Sequence, residues 1–195
     1  MGVGERKQRQ RDEREQRIVD AARSIAEREG WAAVTIRRLA DEIEYSQPVL
    51  YTHFTSREAI VAAVALGGFA EIAEALRVAA RRAVDQAGAV ADVAEAYLAF
   101  AADRPALYQA MFVLPTGLRF GGETVGPLHD AFAALAAVVA PFHPNAEAAT
   151  ELLWSALHGL AELDRSGRIR PEARAERLAL LVRAVTRESA NGLPG

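Results

Sequence analysis

Cysteine is absent from the 195-residue chain. Disulfides, thiol nucleophiles and thiolate-held metal ions are therefore excluded, and the composition suits a cytoplasmic protein. Long apolar runs are also missing. The longest, Ala131 to Ala140, ends at Pro141, whereas a membrane-spanning helix needs about 20 such residues. The first residues, MGVGERKQRQRDEREQR, are charged and lack the apolar stretch of a signal peptide. There is no glycine-rich phosphate loop, no metal-ligand signature and no nucleophile–base pair at a plausible spacing. These absences predict no enzyme, no cofactor, no metal site and no membrane association. Nor does any stretch alternate polar and apolar residues long enough to read as a strand.

Positive charge is not in excess either. The formal net charge is −3, but its distribution is uneven. Residues 1–60 hold 11 Lys and Arg against 11 Asp and Glu, and residues 61–195 hold 12 against 15. The neutral N-terminal part can still contact phosphate, because that depends on where the Arg side chains point.

What is present is helical periodicity. The chain is 51% hydrophobic and rich in Ala, enough for a sizeable core. Ile18, Ala21, Ala22, Ile25 and Ala26 fall on one helix face, with Gly30 as a natural stop. The charged arm ahead of them, residues 5–17, reads as a solvated, disordered tail in the free protein, with contact to phosphate or the minor groove on binding as the alternative. Ile36, Leu39, Ala40 and Ile43 repeat the stripe after Thr35, a good N-cap. Thr55-Ser-Arg-Glu58 fits a capping box opening a long helix that Gly88 should break. Asp103 should cap a helix starting at Pro105, and Pro144-Asn145 and Pro171 should start the last two. PTGLRFGGETVGP reads as a loop, either a gate or a plain connector, and the tail ANGLPG should fray. The expected fold is all-α with about nine helices.

Two short helices, roughly 35–43 and 46–53, are joined by a few residues and flanked by longer ones. That is the outline of a helix-turn-helix, whose second helix lies in the DNA major groove. Leu50 and Phe54 are four apart and should face inward. Pro48 and Thr52 then point the opposite way, with Val49 and Tyr51 on the flanks and Gln47 at the exposed start. Amides, hydroxyls and apolar groups are what base edges and thymine methyls require.

The segment TIRRLADEIEYSQPVLYTHFTSREAI resembles the DNA-binding domain of the tetracycline-repressor (TetR) family of bacterial regulators. Thr35, Leu39, Ala40, Leu50, Tyr51, His53, Phe54 and Arg57 carry the match, within about residues 12–75. The resemblance implies that Tyr51 and His53 contact phosphate and that Gln47, Pro48, Val49 and Thr52 face the groove beside Ser46. It also implies that Thr35, Arg37 and Arg57 clamp the DNA backbone. Glu44 stands where the family usually has Gly in the turn. By this reading residues 1–58 hold the arm and DNA-binding domain, and residues 59–195 bind effector and dimerise.

ALYQAMF and LLWSALHGLAEL are similar to a subgroup named for a Trp-His-Gly signature, matched here by Trp154 and His158-Gly159. Phe100, Tyr108, Met111, Phe112 and Trp154 form an aromatic and Met set at helical spacings. Most such residues are core, and some should line a pocket for an apolar or aromatic effector, with His158 beside them. His158 and Glu162 could join His129, His143 or a carboxylate at a metal, although a hydrogen-bonded core His is the simpler reading. Leu160, Leu163, Leu178, Leu181, Val182 and Val185 could all be monomer core; the resemblance implies a dimer interface of the last two helices. Such a homodimer would read a palindromic operator. The expected function is a repressor released by a small effector. The rivals are an all-α enzyme or carrier without DNA, and an activator without ligand release.

Overall fold

A computed structural model describes residues 2–118 and 126–187. Most of the glycine-rich loop and the ANGLPG tail lie outside the described residues. Among those described there are nine α-helices, two short 3-10 turns and no strand, as the periodicity requires. The contacts divide the chain into two compact units, Met1–Gly68 with Arg104–Arg119, and Phe69–Asp103 with Phe120–Gly195. The segment after Arg104 thus groups with the N-terminal residues, a placement the division at residue 58 does not contain.

In the first unit, α1 runs from Val3 to Glu29. The charged arm is therefore helix, contrary to the disorder expected of it. The cause is local. Arg, Glu, Gln and Lys are good helix formers, and side chains four apart bond along the arm: Gln8 to Asp12 at 2.8 Å, Arg11 to Glu15 at 2.8 Å and Gln16 to Asp20 at 2.9 Å. α1 stops at Gly30, whose φ of 81° suits glycine. A 3-10 turn, Trp31–Ala33, leads into α2, Ile36–Glu42. Thr35 caps α2 as expected, its hydroxyl oxygen accepting from the Arg38 amide at 3.1 Å. α3 spans Gln47–His53, and α4 spans Arg57–Arg82. The residue that caps α4 is Ser56, which accepts from the Ala59 amide at 3.2 Å, one position later than the capping box placed it.

α6, Pro105–Phe112, completes this unit. Asp103 does not cap it, because Asp103 is the last residue of α5. The Glu27 carboxylate of α1 takes that place, accepting from the amides of Ala106 and Leu107 at 3.2 and 3.0 Å. Trp31 Nε1 donates to the Ala106 carbonyl at 2.7 Å. A side chain at Gly68 of α4 would meet Met111 Sδ at 2.6 Å, so the absence of a Cβ sets how closely α4 and α6 approach.

In the second unit, α5 covers Gln86–Asp103, α7 Pro127–Val139, α8 Ala146–Arg165 and α9 Arg174–Thr186, the last preceded by a 3-10 turn at Pro171–Ala173. α5 packs against α7, α8 and α9, and α8 packs against both α7 and α9. Gly88 does not break the long helix. α4 has ended at Arg82, and Gly88 lies in the first turn of α5, its amide donating to Asp85 Oδ1 at 2.7 Å. Asn145 caps α8 through the Ala148 amide at 3.2 Å. α4 is long and apolar enough to cross a membrane by length and composition. Half of its most apolar window is buried, which also describes the core helix of a soluble protein.

Candidate nucleic-acid interface

The turn between α2 and α3 is built on a positive φ. Glu44 has φ 57° and is the one non-glycine residue of that kind among the described residues. Its conformation lets the Tyr45 amide fold back to the Ala40 carbonyl at 2.9 Å, closing the end of α2. The Tyr45 hydroxyl accepts from Arg17 Nη1 at 2.9 Å, and the Arg17 guanidinium also lies 5.1 Å from the centre of the Tyr45 ring. This tie from α1 to the turn was not anticipated from the sequence.

α3 is sided. Leu50 is fully buried, whereas Ser46, Gln47, Pro48, Tyr51 and Thr52 are exposed, Tyr51 by 54%. Val49 and Phe54 are half-buried; Phe54 has already left the helix, with φ −131° and ψ 124°. Gln47 and Pro48 stand in the first turn, at the positive end of the helix; Pro48 has no N–H to satisfy, and the Val49 amide donates to the Ser46 carbonyl at 3.0 Å. The Thr52 hydroxyl donates to the Val49 carbonyl at 2.7 Å, which leaves its oxygen lone pairs available as acceptors. On α2, Thr35 and Arg37 are exposed, and no ion pair or hydrogen bond engages the Arg37 side chain among the described residues. Its neighbour Arg38 is bound to Glu29 and Glu42 at 3.2 and 2.8 Å.

Two of the expected backbone contacts point elsewhere. The His53 side chain is only 6% exposed, and its Nδ1 lies 3.3 Å from Glu15 Oε1 on α1. Arg57 donates from Nε to the Val34 carbonyl at 2.7 Å and from Nη2 to the Trp31 carbonyl at 2.6 Å. It satisfies the carbonyls of the 3-10 segment that precedes α2. In this structure His53 ties α3 to α1, and Arg57 ties the start of α4 to the segment before α2.

The aromatic set divides between the units. Tyr108 and Met111 are buried and Phe112 is half-buried in the first, with the Tyr108 and Phe112 rings 4.7 Å apart. Phe100 is buried in the second, where Trp154 and His158 are half-buried on α8. Trp154 Nε1 donates to the hydroxyl of buried Tyr97 at 3.2 Å. Burial pushes the His158 imidazole below its ordinary pKa, against the opposing pull of Glu162. His143 Nε2 lies 2.7 Å from the Val185 carbonyl, so that imidazole is already engaged.

Of the apolar residues on the last two helices, Val185 is buried within the protomer, Leu160, Leu178, Leu181 and Val182 are half-buried, and Leu163 is exposed. An open groove of about 370 Å³ runs between α8 and α9, lined by Ala156, Gly159, Leu160, Leu163, Leu180 and Leu181 among others. Leu152 and Leu180, which the sequence pattern did not single out, are the most exposed leucines of these helices, at 70% and 53%.

Residues 18–64 match the family model described as bacterial regulatory proteins, tetR family, and residues 90–185 match the tetracyclin repressor-like C-terminal domain. An HTH-type transcriptional regulator of Mycobacterium tuberculosis is 36% identical over 155 residues, covering 77% of this chain and 69% of that protein. A protein of unknown function from Rhodococcus sp. RHA1 shares the fold at 22% identity and a TM-score of 0.73, over 89% of this chain and 95% of that one. So does RolR, solved in complex with resorcinol, at 15% identity and a TM-score of 0.65, over 96% and 98% of the two chains. The sided α3, the turn at Glu44 and these two matched segments place the chain in the tetracycline-repressor (TetR) family of bacterial transcriptional regulators.

Proposed function

We propose that the protein is a cytoplasmic, ligand-responsive repressor that binds a palindromic operator as a homodimer and is released by a small apolar or aromatic effector. The observation that carries this reading is the free face of α3, where Gln47, Pro48, Tyr51 and Thr52 are exposed while Leu50 anchors the helix. The Gln47 amide can pair with a base edge, and Pro48 offers an apolar surface to a thymine methyl. Tyr51, Ser46, Thr35 and Arg37 suit phosphate oxygens. Thr52 fits as an acceptor toward an exocyclic base amine. His53 and Arg57 serve by fixing α3 and the approach to α2. Residues 1–58 then form the DNA-reading part and residues 59–195 the effector and dimer part, with α6 grouped with the former by its contacts.

The exposed leucines beside the α8–α9 groove are the natural place for a second copy, because burying them removes apolar surface from water. Two readers one DNA turn apart, about 34–36 Å, would contact the two halves of a palindrome. An effector releases such a dimer only if it prefers a conformation with a different reader spacing. Its site would be drawn either from Tyr108, Met111 and Phe112 within the first unit or from Phe100, Trp154 and His158 within the second. That RolR was crystallised with resorcinol supports a small aromatic effector for this fold.

The test is selection of duplexes from a random library, followed by fluorescence anisotropy on the selected sequence across a range of salt. Binding should weaken steeply as salt rises. A flat salt dependence would remove phosphate contact from the account. Sedimentation of Leu163→Glu with Leu180→Glu should show monomers that bind the palindrome poorly; an unchanged dimer would exclude the groove as the interface.

A further inference from the structure

We infer that the N-terminal half of α1 carries a second DNA-binding surface, one that grips the phosphate backbone beyond the segment read by α3; this rests on the regulator reading above. Helix formation turns a sequence of mixed charge into two faces. Lys7, Arg11 and Arg14 fall at i, i+4 and i+7, and Ile18 continues the same line. A line with this spacing stays on one side of a helix. Ile18 is fully buried, so the cations extend the very face that packs on the domain. Glu5 and Asp12 fall on the opposite side, and their carboxylates are engaged by the Gly2 amide and the Gln8 side chain at 2.8 Å each.

The basic face is aimed by a relay. Arg11 Nε holds Glu15 Oε1 at 2.8 Å, and the same oxygen lies 3.3 Å from His53 Nδ1 in the last turn of α3. The side of α1 that bears Arg11 is therefore the side that meets the C-terminal end of the proposed reading helix. Lys7 and Arg14 are exposed and make no ion pair or hydrogen bond among the described residues. Two unengaged cations, on a rigid helix and continuous with the candidate interface, match the phosphate backbone in charge. Residues 3–17 span about 20 Å at 1.5 Å per residue. Laid along a duplex, that length corresponds to about six base pairs.

The experiment compares two duplexes built on the selected sequence. One ends at the outer edge of the half-sites, and the other carries about six further base pairs on each side. Lys7→Gln with Arg14→Gln should lower affinity for the long duplex about tenfold and reduce its salt slope by about one to two. The same variant should leave affinity for the short duplex unchanged. Arg6→Gln with Arg9→Gln, an equal change of charge at positions outside the Lys7–Arg14 line, should do neither. Circular dichroism confirms that the variants stay folded. Equal slopes for wild type and Lys7→Gln/Arg14→Gln on the long duplex overturn the surface, as does an equal loss on both duplexes. Loss of binding to phosphatidylserine vesicles without any loss on DNA would assign the face to a membrane and also overturn it. A wild-type protein that binds no duplex at all removes the regulator reading itself, an outcome distinct from failure of the arm alone.

Discussion

Glu27 and Leu107 lie 80 residues apart in sequence, yet the carboxylate of one accepts the backbone amide of the other at 3.0 Å. Its second oxygen takes the Ala106 amide at 3.2 Å. The start of α6 has no cap from its own flanking residue Arg104, so a side chain from α1 supplies it. Carboxylates suit this position, because the unpaired amides and the helix dipole both favour negative charge. Glu27→Ala should destabilise the protein by about 1 kcal/mol, the usual worth of an N-cap, and lower Tm by roughly 2–4 °C for a chain of this size. Glu27→Gln keeps one acceptor and should lose less. Thermal and urea unfolding check both; identical melts for Glu27→Ala and wild type would show the cap to be idle.

The contrast between Glu27 and Thr35 explains what was legible in the sequence. Thr35 caps the helix that follows it directly, and Leu50 is buried where helical spacing puts it. Both depend on neighbours three or four residues away. The positive φ falls at Glu44, the position where the sequence departs from the turn glycine usual in the family it resembles. The partners of His53 and Arg57 could not be read from spacing because they are distant: Glu15 is 38 residues away, and Val34 and Trp31 are 23 and 26 away. A His and an Arg near a short exposed helix read as phosphate ligands from the sequence, and the intramolecular bonds that position them come only from packing. The helical arm failed differently. Composition suggested disorder, and the i,i+4 bonds along residues 8–20 outweighed it.

Glu44 combines strain and charge in one residue, and two substitutions separate them. A non-glycine residue in the left-handed region costs roughly 1 kcal/mol. Glu44→Gly should raise stability by about 0.5–1 kcal/mol, whereas Glu44→Ala keeps the strain and should leave stability nearly unchanged. Both remove a negative charge from the turn beside α3. Both should therefore tighten DNA binding at low salt, with the gain fading as salt screens it. Urea melts and anisotropy titrations at two ionic strengths read the two effects independently. Equal stability of the Gly and Ala variants would mean that the turn carries no strain.

His158 makes stability depend on pH in a direction that can be stated. Burial holds its folded pKa below the ordinary histidine value of 6.5. The unfolded chain then binds the proton more readily than the folded one. The contribution of the neutral imidazole is complete above about pH 6.5 and is lost as pH falls below it toward the folded pKa. His158→Asn removes the titration. The stability of wild type relative to the variant should fall between pH 7 and pH 5, measured by urea unfolding at each pH. A constant or rising difference would contradict the sign.

Leu50 and Tyr51 are adjacent in sequence and opposite in consequence. Leu50 is fully buried, so Leu50→Ala leaves a cavity beneath α3 and should cost about 2–5 kcal/mol. Tyr51 is 54% exposed, and Tyr51→Ala should alter stability by about 0.5 kcal/mol or less. If α3 is the reader, DNA binding inverts that order of harm. Tyr51→Ala should weaken binding to every duplex to a similar degree, as loss of a phosphate contact does. Gln47→Ala should instead relax preference at one base position, by about 1–3 kcal/mol of discrimination. Repeating the duplex selection with each stable variant distinguishes the two roles. Should Tyr51→Ala and Gln47→Ala both fold and both select the wild-type sequence with wild-type affinity, the exposed side of α3 does not touch DNA. The burial of Leu50 would then be ordinary core packing with no bearing on recognition.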